Sequence, residues 1–220
     1  MIMVDVSVII ENIDLLWGGL LMTFKLFIVA LAGGLPLGIF LGLGRLSSRK
    51  WIYYPVSAYV HFIRNVPLLM LIFWIYFSLP ILTGGLVEPF YAAVVSFIIF
   101  EATYFGEIIR AGYQSVSKGT IQAAYSTGLN YWQMARYILI PIALRRVVPS
   151  MITQSIVLFQ DTSLAYVIGL HEFVRMASLI DNRVIRPLEL YGFVAIVFLV
   201  ICSIGSQIVK RLETKEGERK

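Results

Sequence analysis

The sequence predicts an all-α integral membrane protein, with five transmembrane helices and one polar helical insert in a single domain over residues 1–220. Three observations predict it. Hydrophobic residues make up 59% of the chain and charged residues 14%, whereas soluble domains carry about 45–50% and about 25%. Mean hydropathy is +0.82, too high for one soluble core of this size, so lipid must solvate much of the chain. Long apolar runs recur along the chain, and a compact polar stretch with helical patterning lies between the third and the fourth.

The first run, about 15–43, exceeds the roughly 20 residues needed to cross a bilayer. Gly33, Gly34 and Pro36 predict a kink or tilt within it. The second run is about 55–82, the third 90–110, the fourth 147–169 and the fifth 188–209, whose single charge, Glu189, sits at its start. The opening MIMVDVSVIIENID has acidic residues and no basic n-region, so it reads as the lead into a retained helix and not as a cleaved signal.

Lysine and arginine are distributed unevenly. The loop after the first run holds Arg45, Arg49 and Lys50. The insert region holds Arg110, Lys118, Arg136, Arg145 and Arg146, and the tail holds Lys210, Arg211, Lys215, Arg219 and Lys220. The opposite side holds only Arg175, Arg183 and Arg186, a split of 13 to 3. The positive-inside rule then puts the N-terminus outside and both the insert and the C-terminus in the cytoplasm.

The insert, about 113–141, parses as two short helices. Ser117 or Thr120 can cap the first, and Ile121, Ala124, Tyr125 and Gly128 follow helical spacing. Gly128 suits a left-handed stop. Asn130 and Gln133 form a capping-box pair for the second helix, and Pro141 marks its expected end. Small residues at Ala123, Ala124, Ser126 and Gly128 leave a smooth surface for another protein's groove; the plainer reading is an amphipathic helix resting on headgroups.

Ionisable groups inside a bilayer are costly and face the protein interior or water. Arg64, followed by Asn65 and Pro67, forms a broken-helix corner able to hold a carboxylate. Its other reading is pairing with Glu101, Glu107 or headgroups. Glu101, with Tyr104 one turn on, can bind an amino group or serve as a structural partner of Arg64. Glu107 and Arg110 read as a local ion pair. Gln160, Asp161, Thr162 and Ser163 cannot all share one helix face, so some meet neighbouring helices and some line a cavity. Asp161 has no basic neighbour in its own run and needs a partner from elsewhere. Lys25 reads as a snorkelling or interior residue, and Trp17, Trp51, Tyr53 and Tyr54 as interfacial belts.

The single cysteine, Cys202, allows no internal disulfide, and His61 and His171 lack ligand-spaced neighbours, so no metal or cofactor is expected in this chain. No glycine is followed directly by lysine, so there is no phosphate-binding loop and energy must come from a partner. Ser163 and Asp161 have no histidine within a run beside them, which argues against an intramembrane enzyme. The chain shows no inverted repeat, which argues against a stand-alone channel or secondary carrier.

Four ordered segments carry a family resemblance. Gln122-Ala123-Ala124-x3-Gly128-x9-Ile138-x2-Pro141 resembles the EAA signature of ABC importer permeases, with Gln122 where the family usually has Glu. The segment from Phe62 through Arg64, Asn65 and Pro67 to Leu69 is similar to the FR-x-x-PLL segment of polar amino-acid permeases. The segment from Glu101 through Tyr104, Glu107 and Arg110 to Gly112 is similar to EAAYxxEIxRAG, and Gln160-Asp161-Thr162-Ser163-Leu164 to [KQ]DTSL. The LFQDTSL form most resembles glutamate/aspartate permease subunits; glutamine, histidine, arginine and cystine are the other substrates of the class.

The resemblance implies a type I ABC importer permease fold that moves a polar amino acid by alternating access. It implies coupling to an ATPase through Gln122, Ala123, Ala124, Gly128 and Leu129, and substrate contact through Arg64, Asn65, Glu101, Tyr104, Gln160, Asp161, Thr162 and Ser163. It implies a second permease subunit, identical or homologous, and two ATPase subunits that hold ATP and Mg. It also implies an external amino-acid-binding protein, which the polar 171–187 segment helps to dock, and a place in the bacterial cytoplasmic membrane.

Overall fold

The computed structural model describes residues 6–217; residues 1–5 and 218–220, including the tail charges Arg219 and Lys220, lie outside it. The described chain is helical. In order it forms α1 (Ser7–Glu11), α2 (Ile13–Arg45), α3 (Lys50–Arg64), α4 (Leu68–Thr83), α5 (Pro89–Gln114), α6 (Lys118–Ser126), α7 (Tyr131–Met134), α8 (Ile140–Asp161), α9 (Phe173–Val184) and α10 (Pro187–Gly217). A π-helical turn, Ala135–Leu139, joins α7 to α8, and a 3₁₀ segment, Thr162–Ile168, continues α8. Among the described residues, four runs are long and apolar enough to cross a membrane: α2, α5, Tyr131–Ile168 and Pro187–Leu212. The second expected span is broken, with α3 and α4 bent by 104° across Asn65–Pro67. Pro67 causes the break, because it withholds an N–H and disfavours helical geometry at Val66.

The most extensive helix pairing is α2 with α5. Along α2, Ala30, Gly34, Gly38 and Gly42 are buried at every fourth position and so share one face. A Cβ on Gly38 would lie 2.5 Å from the Phe105 Cβ and 3.0 Å from the Ala102 carbonyl, and one on Gly42 would lie 2.8 Å from the Gly106 carbonyl. No side chain fits between these backbones. Glycine lets them touch, which is how helices associate where lipid removes the hydrophobic drive. Gly34 meets Glu101, Gly38 meets Phe105 and Gly42 meets Ile109, so the two helices run in the same direction. α2 is helical throughout, Pro36 included.

The same α2 stripe continues toward the far end of the molecule and there holds α9. The Thr23 hydroxyl donates to the Gly19 carbonyl at 3.2 Å and accepts the Phe173 N–H at 3.1 Å. Glu172, fully buried, accepts the next two N–H groups, of Val174 at 2.9 Å and Arg175 at 2.7 Å. The N–H groups of the first turn of α9, which have no partner within the helix, are thereby satisfied from two sides. Burial pushes the Glu172 carboxyl up to about 7, while the two backbone bonds and Arg175 pull it down. Beyond α9, exposed Ile185 takes a left-handed φ of 53°. That conformation is strained for a β-branched residue, and it is held by Asp181, whose carbonyl accepts the Ile185 N–H at 2.8 Å and whose side chain accepts the Arg186 N–H at 2.9 Å.

The insert follows its caps. Ser117 accepts the Thr120 N–H at 3.1 Å, and Asn130 and Gln133 exchange bonds at 2.9 and 3.0 Å. Gly128, at φ +83°, makes the turn between the two helices. Pro141 does not end the second helix as expected. The α7 helix stops after four residues, the π turn follows, and Pro141 sits in the first turn of α8, where its missing N–H costs least. The wider π turn absorbs the extra residue, so the chain is helical without a break from Tyr131 to Ile168.

Gly38→Ala should separate α2 from α5 and destabilise the protein by about 1–3 kcal/mol, the usual range for overpacking. Gly18→Ala, which meets nothing within 4 Å, should be neutral or slightly stabilising. Thermal unfolding midpoints of the two variants in detergent would test the pair; equal midpoints would refute the close-packed seam.

Candidate functional site

One face of α5 organises the site. Glu101, Tyr104 and Glu107 stand at successive i, i+3 positions, and the two carboxyls are about 9 Å apart along the helix axis. Glu101 is fully buried, with its Cβ 3.4 Å from where a Gly34 Cβ would sit. Its Oε2 accepts a hydrogen bond from Gln154 Nε2 at 2.9 Å. Its Oε1 is buried with no partner among the described residues. Asp161 lies two turns beyond Gln154 on α8 and interacts electrostatically with Glu101. It is half-buried, and no hydrogen bond or ion pair to it is found among the described residues. Neither carboxyl has a cation partner among the described residues.

The insert-side end of this face carries the opposite charge. Glu107 Oε2 takes Arg45 from the end of α2, and Oε1 takes Arg110 from its own helix. Arg64, the last residue of α3, brings its Nη1 to 3.8 Å from the same Oε2 and lays its guanidinium over the Tyr104 ring at 4.9 Å. His61 Nε2 lies 3.4 Å from Arg45 Nη2. Three guanidiniums meet one carboxyl, which leaves an excess of positive charge. The partner of Glu101 is thus Gln154 and not Arg64, and the expected local Glu107–Arg110 pair is one part of a network that joins α2, α3 and α5.

The other predicted residues divide. Thr162 is fully buried, and its hydroxyl donates to the Phe159 carbonyl at 2.6 Å. The Ser163 hydroxyl donates to the Gln160 carbonyl at 2.8 Å. The Gln160 side chain is exposed. Asn65 is exposed at the break after α3. In the insert, Gln122, Ala123 and Gly128 are exposed and Leu129 is half-buried. Ala124 is buried with Val116, Met134 and Leu139 in the insert's own small core, so it joins the insert together and leaves no surface of its own. Lys25 is exposed over the Phe90 ring at 4.6 Å.

Two residues of these clusters are not among the candidates that the sequence marks: Gln154, and Arg45, which enters there only as a loop charge. Gln154 lies seven residues before Asp161 and so on the same helix face, which was the available signal. Arg45 lies three residues after Gly42, on the glycine stripe's face. Among the described residues no group of three or more His, Cys, Asp or Glu side chains is placed to hold a metal ion.

The family model for the binding-protein-dependent transport system inner membrane component matches residues 34–216. The glutamate/aspartate import permease protein GltK of Escherichia coli O6:H1 is 38% identical over 218 residues, covering 96% of this chain and 97% of that protein. The glutamine transport system permease protein GlnP of Escherichia coli K12 is 37% identical over 213 residues, covering 96% and 97%. Among solved structures, an amino acid ABC transporter with histidines superposes with a TM-score of 0.90 at 31% identity, covering 97% of this chain and 100% of that one.

Gln154→Leu should leave both Glu101 oxygens unpartnered and destabilise the protein by about 1–3 kcal/mol. Glu101→Gln combined with Gln154→Leu should recover part of the loss, because no charge then needs a partner. Unfolding midpoints for the two variants would check this; equal loss in both would show that the Glu101–Gln154 bond is not the cause.

Proposed function

The chain belongs to the binding-protein-dependent transport system inner membrane component family, as a permease subunit of an amino-acid ABC importer, and from that premise we propose which amino acid it carries and with which residues. The substrate is a polar amino acid, with glutamate or aspartate favoured. One observation carries this reading: groups of opposite sign line one face of α5. Glu101 and Asp161, with no cation of their own, suit the α-ammonium group. Arg64, whose side chain makes no hydrogen bond among the described residues, keeps donors for a carboxylate, and the positive excess around Glu107 suits a substrate with two of them. Tyr104 lies between the two poles. Glutamine is the second reading, favoured by the nearly equal identity to the glutamine permease.

The reading extends to assembly. A second permease subunit, identical or homologous, completes the path. Separate ATPase subunits, which hold ATP and Mg, dock on the insert through Gln122, Ala123, Gly128 and Leu129. Ala124 shapes that surface from beneath. The insert and the C-terminus lie in the cytoplasm and the N-terminus outside, following the charge split. An external binding protein delivers the amino acid near α9, where His171, Arg183 and Arg186 are exposed. ATP binding moves the insert, and the unbroken helical run from Tyr131 to Ile168 carries that motion to Asp161. Alternating access then needs no chemistry in this chain.

The test is ATP hydrolysis by the reconstituted complex, stimulated by binding protein loaded with glutamate, aspartate, glutamine, arginine or histidine. Acidic amino acids should stimulate most. Asp161→Ala should leave basal hydrolysis intact and weaken stimulation by about 10-fold or more, the scale of one lost charge-assisted contact. Equal stimulation of native and variant complexes would remove Asp161 from the transport path, and preference for arginine or histidine would overturn the acidic assignment.

A further inference from the structure

The charge cluster at the insert-side end of α5 has a hierarchy that the transport reading leaves unused. Both Glu107 oxygens are engaged, Oε2 by Arg45 and Oε1 by Arg110. Arg45 is 8% exposed and sits at the end of the glycine stripe, where α2 and α5 are in backbone contact. Glu107 is therefore gripped by a buried residue of a neighbouring helix and cannot move freely. Arg64 differs. It ends α3 at the 104° bend, its side chain is 35% exposed, and it makes no hydrogen bond among the described residues. Only the Tyr104 ring beneath it and the Glu107 carboxyl at 3.8 Å fix its direction.

We propose that Glu107, itself fixed by Arg45, is a positioning residue that holds the Arg64 guanidinium over Tyr104 in the orientation that receives the substrate's carboxylate. This rests on the reading above that Arg64 contacts substrate. A free arginine has many rotamers, and binding a carboxylate would have to freeze them. An arginine already stacked on one face and tethered at one edge presents its remaining N–H donors in a fixed plane, so that loss is met during folding and not during binding. The 3.8 Å spacing matters here. It is close enough to orient Arg64 and too long for a hydrogen bond, so the donors stay available. Arg45 occupies the short contact to Glu107 and thereby keeps Arg64 from collapsing onto it.

The sign of one substitution separates this role from bulk electrostatics. Removing the Glu107 charge makes the cluster more positive, so a purely electrostatic role predicts tighter carboxylate binding. Positioning predicts weaker binding. The experiment is equilibrium binding of tritiated L-glutamate and L-glutamine to the purified permease–ATPase complex without binding protein, for native protein, Arg64→Ala, Glu107→Gln and the double variant. Each single variant should weaken binding by about tenfold, the scale of one oriented charge-assisted contact. The double variant should bind no more weakly than Arg64→Ala alone, because Glu107 acts through Arg64. Arg45→Lys, which keeps the charge and loses the planar fork, should weaken binding without disrupting assembly and stands in if Glu107→Gln does not assemble. Unchanged or tighter binding by Glu107→Gln, with Arg64→Ala weakened, would overturn the positioning role and leave the substrate reading intact. An additive double variant would overturn it equally. Native-like binding by Arg64→Ala would instead remove Arg64 from the site, and the proposal with it.

Discussion

Backbone contact between α2 and α5 is the constraint on which the rest of the structure depends. In lipid, apolar side chains gain nothing by leaving solvent for a neighbouring helix, so association needs close packing and polar contacts. Glycine at 34, 38 and 42 permits that closeness. Its chemical consequence lies at the two ends of the seam. At one end Gly34 leaves room for the Glu101 side chain to lie buried against α2 and reach Gln154. At the other, Arg45 arrives beside Glu107 because its helix is already there. A wider seam would separate both pairs.

From that seam α5 serves as the axis of the site. Every third residue from Glu101 to Glu107 faces the same region, and each meets a different element: Gln154 of α8, Arg64 of α3 and Arg45 of α2. Polar groups that are expensive inside a membrane are thereby gathered where protein surrounds them. The Glu101 Oε1 left unpartnered is one of four exceptions among the described residues, with Arg45 Nε, Ser57 Oγ and Arg175 Nε. Buried polar groups are paired in the great majority of cases, and this orphan belongs to the residue that the proposed function gives to the substrate's ammonium group.

The helical run from Tyr131 to Ile168 links this axis to the insert, and its winding changes along its length. It is π-wound before Pro141, α-helical through Gln154 and Asp161, and 3₁₀-wound over Thr162–Ile168. Seven residues is long for a 3₁₀ segment, and such departures from α geometry recur at hinges. Here they bracket the α-helical stretch that carries Gln154 and Asp161.

The sequence by itself determined the spans, their break at Pro67, the caps at Ser117 and Asn130, the turn at Gly128 and the family, because each depends on local chemistry or on ordered motifs that adjacent residues carry. Apolar run length, a missing N–H or a left-handed turn can be read without knowing what lies across the bundle. It also brought Arg64, Glu101 and Asp161 forward, since a charge in an apolar run is conspicuous wherever it points, and Tyr104 by its place one turn from Glu101. Only the tertiary structure decided their partners. Gln154 is an ordinary amide until α8 lies against α5, Arg45 is a loop-end cation until the glycine seam delivers it to Glu107, and Ala124 turns inward only once α6 folds back on α7. Contacts between residues 53 or 62 positions apart are fixed by how closely helices pack, and that distance is set jointly by both surfaces and written in neither alone.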